Sequence, residues 1–114
     1  CFLRPIVFQP TSGKWAGEPC HGFQIHVTDP QAYLSYRTSL ALLQAAMRLY
    51  PEDFRYKEPP YEYEYQRLPL DLILGDRVLR ERLEGGQELL GIEASWQDEL
   101  NTFDITRKNY FLYS

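Results

Sequence analysis

Apolar and polar residues alternate along "FQIHVTD", residues 23–29. Phe23, Ile25 and Val27 point one way, and Gln24, His26 and Thr28 the other. A period of two predicts a strand with one face on a core. An earlier strand is predicted over "FLRPIVFQ", residues 2–9, where Phe2, Ile6 and Phe8 share a face with Arg4. Pro5 there suits a sheet edge or the start of a strand. Between them, "PTSGKWAGEPCHG", residues 10–22, is rich in Pro, Gly, Ser and Thr and reads as a loop.

The period then lengthens to three and four. Asp29-Pro30 has the form of an N-cap followed by proline at the first helical position. The helix it opens runs to about Tyr50, with Tyr33, Tyr36, Leu40, Leu43, Met47 and Tyr50 on its apolar face and Arg37, Gln44 and Arg48 opposite. Pro51 stops it, and "DFRY", residues 53–56, predicts a short strand. "PLDLIL", residues 69–74, reads as a short helix with proline at its start and Gly75 past its end. Asp76 caps the next helix and Gly85-Gly86 ends it. A last helix is predicted from about Ile92 to Thr106, its stripe made of Leu89, Ile92, Trp96, Leu100 and Phe103, with "YFLY", residues 110–113, extended after it. No repeat, low-complexity run or linker interrupts the pattern, so one domain is expected over residues 1–114. Its class is α+β: a small mixed sheet packed by one long helix in the N-terminal half and a C-terminal helix, with short helices between.

Composition narrows the function. At 114 residues, 44% hydrophobic, 15% aromatic and 25% charged, the chain is a folded domain able to bury a core. Nine tyrosines and six phenylalanines suit a core with a wet edge, a ligand cleft or an interface. A net charge of −4 argues against nucleic acid, which demands clustered cations. The densest basic stretch, "RVLRER" at 77–82, is broken by Glu81 and reads as a solvated helix face. No apolar run approaches the ~18 residues of a membrane span. Cys1 and Cys20 are either one bridge or two thiols, and their spacing fits no zinc pattern. The chain opens on Cys1, without methionine, and enters a strand-like run at once. We read it as a piece of a longer polypeptide, with any targeting segment upstream.

Candidate chemistry centres on "YEYEY", residues 61–65. If extended, Glu62 and Glu64 share a face about 7 Å apart, within the span of glycosidase carboxylate pairs. Such pairs normally come from separate elements, so the alternative is packed tyrosines and solvated glutamates. His26, on the polar face of its strand, suits hydrogen bonding to a ligand hydroxyl or proton transfer, or is simply a satisfied sheet histidine. His21 and His26 lack further ligands for a metal. No serine sits in a G-x-S-x-G context, and "GKWAG" lacks the spacing of a phosphate loop. Lys14 and Trp15 in that loop offer a charge and a stacking ring, or are ordinary solvated loop residues. Asp71 lies in the first turn of its helix, where the helix dipole alone accounts for it. No cofactor or metal is expected.

In combination, "RPIVFQPTSGKWAGEPCHGFQIHVTDP", "PPYEYEYQRLPLDLILG" and "ASWQDELNTFDITRKNYFLY" resemble the C-terminal domain of the exo-β-N-acetylmuramidases, the NamZ family, long catalogued only as a domain of unknown function. The likeness runs in order from about Arg4 to Tyr113. Its specific elements are "IHVTD" and "YEYE" followed by "PLDL". It implies a two-domain bacterial hydrolase: a larger Rossmann-like N-terminal domain carrying the catalytic acid, and a smaller C-terminal domain closing the cleft. Such enzymes remove terminal N-acetylmuramic acid from peptidoglycan fragments in cell-wall recycling. By the same likeness the protein is extracytoplasmic, periplasmic or secreted, and these 114 residues alone are inactive.

Carried over by position, the residues facing that cleft are Lys14, His26, Asp29, Glu62, Tyr63, Glu64 and Asp71. The expected roles are sugar recognition: carboxylates accepting from hydroxyls, His26 and Lys14 meeting acetamido or lactyl groups, and an aromatic face on the ring. The expected partners are a muramic-acid-containing glycan and the protein's own N-terminal domain. Two positions depart from the pattern. Ser12 stands where the family often has an aromatic residue, and Pro30 where it often has arginine after "HVTD". The alternative reading is a non-catalytic carbohydrate-binding or protein-interaction module.

Overall fold

The structure, a computed structural model, describes residues 1–113. They form two compact units, Cys1–Leu34 and the residues from Ser35 onward, and together make an α+β protein.

The first unit is a two-stranded hairpin. Strand β1 (Phe2–Phe8) pairs antiparallel with β2 (Cys20–His26), in a register that runs from Phe2 opposite His26 to Phe8 opposite Cys20. The sheet is therefore antiparallel rather than mixed. Strand β2 begins earlier than the alternation predicted because pairing continues for the full length of β1. Gly22 lets the Phe8 ring lie close over that extension: a Cβ there would meet Phe8 Cε1 at 3.1 Å and push the half-exposed ring aside. It also ends earlier, at His26, because Phe2 is the last paired residue of β1. The predicted alternation survives in the register, which places Leu3, Pro5 and Val7 on one face with Phe23 and Ile25. It does not survive as burial: Val7 is 62% exposed and Phe23 60%.

Register also answers the cysteine question. Both thiols are free. Cys20 pairs with Phe8 at one end of the hairpin, while Cys1 precedes Phe2 at the other. A seven-residue strand separates those ends by roughly 20 Å at ~3.3 Å per residue, beyond any disulfide's reach.

Beyond β2, Asp29 Oδ1 accepts from the backbone amides of Gln31 (3.0 Å) and Ala32 (3.3 Å). It caps one turn only, and the first helix begins later than predicted, at Ser35.

Five helices make up the second unit: α1 (Ser35–Leu49), α2 (Pro69–Leu74), α3 (Arg77–Glu84), α4 (Leu89–Ala94) and α5 (Gln97–Lys108). Their core is Leu40, Leu79, Leu83 and Ile92, with Leu43, Met47, Leu74, Leu89 and Trp96 packed around it. Burial of each such aliphatic side chain stabilises the fold by about 1.5–3 kcal/mol. Tyr36 closes one side, its ring edge-on to Trp96 at 5.8 Å between centroids and its hydroxyl donating to Leu74 O at 3.1 Å. Desolvation, reinforced by Asp76, raises the pKa of that phenol.

The punctuation of α2 and α3 is as the sequence predicted. Pro69 opens α2, and Gly75 ends it at φ 78° with its amide donating to Asp71 O. Asp76 Oδ1 accepts from Val78 N at 2.7 Å, and Gly85 follows Glu84.

Four expectations change. Gln44, assigned to the polar face, is buried, and its amide donates to Leu83 O (3.5 Å) and Gln87 O (2.9 Å). Leu83 O lies in the last turn of α3 and Gln87 O just beyond its end, so the Gln44 side chain ties α1 to the turn that closes α3. "DFRY" forms no strand; its Phe54 ring meets Tyr56 edge-on at 5.2 Å.

The predicted last helix is two. Ser95 Oγ bonds to Ile92 O at 2.6 Å, while Ser95 N and Trp96 N bond three residues back, tightening and ending α4. The break turns the expected stripe away from the core, leaving Leu100 and Phe103 exposed. The segment after α5 turns at Asn109-Tyr110 and forms no strand through Tyr113.

Candidate functional site

"YEYEY" is neither an extended strand nor a flat carboxylate ladder. Tyr61 and Glu64 exchange both backbone hydrogen bonds, at 2.9 and 3.0 Å, and so close a tight turn with Glu62 and Tyr63 at its tip. Glu62 carries φ 53°, a left-handed conformation that a residue with a Cβ seldom adopts. The cis Pro59–Pro60 bond lies just upstream, and Lys57 Nζ sits 5.8 Å from the centre of the Tyr61 ring. At the tip Tyr63 is 94% exposed.

The two glutamates have separated roles. Glu62 stands at the exposed tip. The Glu64 side chain folds back: Oε1 accepts from Gln66 N (2.8 Å) and Arg67 N (3.3 Å), and Oε2 from Arg67 Nε (2.9 Å). The Gln66 amide first, then the Arg67 guanidinium and amide, hold this carboxyl down to about 2. A carboxylate so acidic has no proton to donate near neutrality. It staples the turn, and the i, i+2 pair that an extended segment would make is not formed.

Asp71 opens a second polar cluster. Arg80 Nε donates to Asp71 Oδ1 and Arg80 Nη2 to Asp71 Oδ2, while Arg80 Nη1 reaches Glu84 Oε1 at 2.8 Å. The Tyr56 hydroxyl donates to the same Glu84 oxygen at 2.6 Å, and the Arg80 guanidinium lies 5.6 Å from the Tyr56 ring centre. Desolvation and the bond to Glu84 push the Tyr56 phenol up, and the bond to Asp71 does most to keep Arg80 charged. This network ties the segment before the turn to α3. Reading "RVLRER" as a solvated face missed Arg80, which points inward; Arg67, three residues after Glu64, was legible from spacing.

In the hairpin unit, Lys14 lies in the exposed loop between the strands, its Nζ 5.4 Å from the centre of the Trp15 ring. The loop closes on itself: Gly17 N donates to Pro10 O at 2.9 Å and Gln9 Nε2 to Gly17 O at 2.6 Å. His26 ends β2, with Nε2 3.1 Å from Gln24 Oε1. Lys14 and His26 thus leave the hairpin from opposite ends, roughly 20 Å apart along the strands at ~3.3 Å per residue, and Asp29 follows on the His26 side. Glu62, Tyr63 and Glu64 share one turn, and Asp71 follows it in α2. Among the described residues, no group of three or more His, Cys, Asp or Glu could hold a metal ion, and no helix is long and apolar enough to cross a membrane.

These features define an α+β protein with a stapled, tyrosine-bearing turn. The chain belongs to the family described as "Exo-beta-N-acetylmuramidase NamZ, C-terminal", which matches residues 1–113. It is 32% identical over 111 residues to the peptidoglycan beta-N-acetylmuramidase NamZ of Bacillus subtilis (strain 168), covering 97% of this chain. The chain spans about a quarter (25%) of the length of that relative. No solved structure matches it.

Proposed function

We propose that this segment is the C-terminal, substrate-contacting part of a glycoside hydrolase that removes terminal N-acetylmuramic acid from peptidoglycan fragments. Family membership supports the activity, and the stapled turn carries the assignment of a wall of the substrate cleft. A turn held by two backbone bonds and the Glu64 carboxylate presents a nearly fully exposed Tyr63 ring, open to stacking on a pyranose face. Glu62 beside it accepts from sugar hydroxyls. Glu64 acts by fixing the turn, and Asp71 through its hold on Arg80. Lys14 meets the lactyl carboxylate, where a cation is the natural partner. His26 and Asp29, roughly 20 Å from Lys14 along the strands, bind hydroxyls further along the glycan and not the muramic residue that Lys14 holds. The catalytic acid belongs to the N-terminal part of the longer polypeptide, which works outside the cytoplasm in cell-wall recycling.

The test is turnover of a chromogenic muramide by the full-length polypeptide. Tyr63→Ala and Glu62→Gln raise KM at least several-fold while melting temperature stays put. Unchanged kinetics in both variants would remove the turn from the cleft. Glycan binding without any hydrolysis in the full-length polypeptide would assign a carbohydrate-binding module instead.

A further inference from the structure

The second unit ends in a helix that its own core does not use. None of the residues of α5 is buried, and the principal helix contacts of the unit are α1 with α3 and α4, and α3 with α2 and α4. A twelve-residue helix is marginal in water without packing on one face. That face exists: Leu100 and Phe103 are 52% and 62% exposed. On either side of Phe103 the helix surface is open, lined by Asp98, Glu99 and Thr102 on one side and Leu100, Asp104 and Arg107 on the other. The charges on the helix are uneven. Asp104 is paired with Arg107 and Lys108, both at 2.6 Å, whereas Asp98 and Glu99 in the first turn pair with no cation among the described residues.

An exposed aromatic ring with a neighbouring leucine, beside unpaired charges, has the make-up of an interface anchor with a polar rim. We propose that α5 docks, through Leu100 and Phe103, onto the N-terminal part of the same longer polypeptide, against an apolar depression bordered by Lys or Arg that meet Asp98 and Glu99. This rests on the family reading above. The relative's length names the occupant, because three-quarters of that protein lies outside the matched region and the family description places this segment at the C-terminus.

Hydroxyl-radical footprinting of the full-length polypeptide tests it, with Tyr50, 60% exposed and outside the candidate site, as the internal reference. After correction for intrinsic reactivity, Phe103 labels at least fivefold more slowly than Tyr50. Asp98→Lys/Glu99→Lys, both at exposed positions, brings that ratio back toward one without loss of helical circular dichroism. A lysine-reactive crosslinker joins Lys108 to residues outside this segment. Equal labelling of Phe103 and Tyr50 in the wild type would overturn the proposal. So would shielding that disappears on dilution, which marks a second copy, or shielding unaltered by the charge reversal. None of these readouts needs substrate, so a polypeptide that lacks muramidase activity still tests the docking.

Discussion

Arg80 grips Asp71 with two nitrogens, Nε to Oδ1 at 2.5 Å and Nη2 to Oδ2 at 3.3 Å, with side chains only 12% and 9% exposed. The pair joins the first turn of α2 to the middle of α3. Both carboxylate oxygens of Asp71 accept from that one guanidinium. Arg80→Ala strands the Asp71 anion in a mostly dry site and lowers stability by about 3–5 kcal/mol, measured by urea unfolding. A loss under about 1 kcal/mol would mean that water already reaches Asp71.

Glu64 gives a pH dependence of known sign. Its folded pKa, about 2, lies below the ordinary 4.5. A depressed carboxyl stabilises the fold fully above its unfolded pKa and loses that contribution as pH falls through the folded one. Melting curves of wild type and Glu64→Gln therefore differ by a constant amount above about pH 5 and converge between pH 4.5 and 2. A difference that grows on acidification contradicts the staple.

Gln44 makes a different demand on α1. Its amide closes two carbonyls, at Leu83 and Gln87, that nothing else in α1 reaches for. Gln44→Leu fits the space but leaves Gln87 O short of a donor, whereas Leu83 O keeps the Gly86 amide, costing about 1–3 kcal/mol in the same unfolding assay. Faster amide exchange at the Gly85–Glu88 corner accompanies the loss. A neutral outcome would show that solvent serves that corner.

Local chemistry was legible in the sequence, and distant chemistry was not. Pro69, Gly75, Asp76 and Gly85 mark their helix ends through backbone rules that act within a few residues, so α2 and α3 fall where predicted. Gln44 looked like a surface residue because its acceptors lie 39 and 43 positions away. Ser95 concealed a helix break inside an unbroken apolar stripe, since a hydroxyl competing for Ile92 O leaves no trace in hydrophobic periodicity. The site shows the same divide. "YEYEY" alternates like a strand, yet Glu64 finds its partners two and three residues on, and the chain reverses there. The positions of Glu62, Tyr63 and Glu64 on one turn follow from that local bonding. Asp71 gains a structural duty that its neighbours in sequence did not announce.

The hairpin that carries its two thiols at opposite ends has one chemical consequence for handling the protein. Oxidation has no internal crosslink to make between Cys1 and Cys20, so the hairpin holds by its register in reducing and oxidising surroundings alike. Any disulfide that an oxidant creates through either sulfur joins it to a thiol elsewhere, and a thiol-specific dye reads the two ends as independent positions.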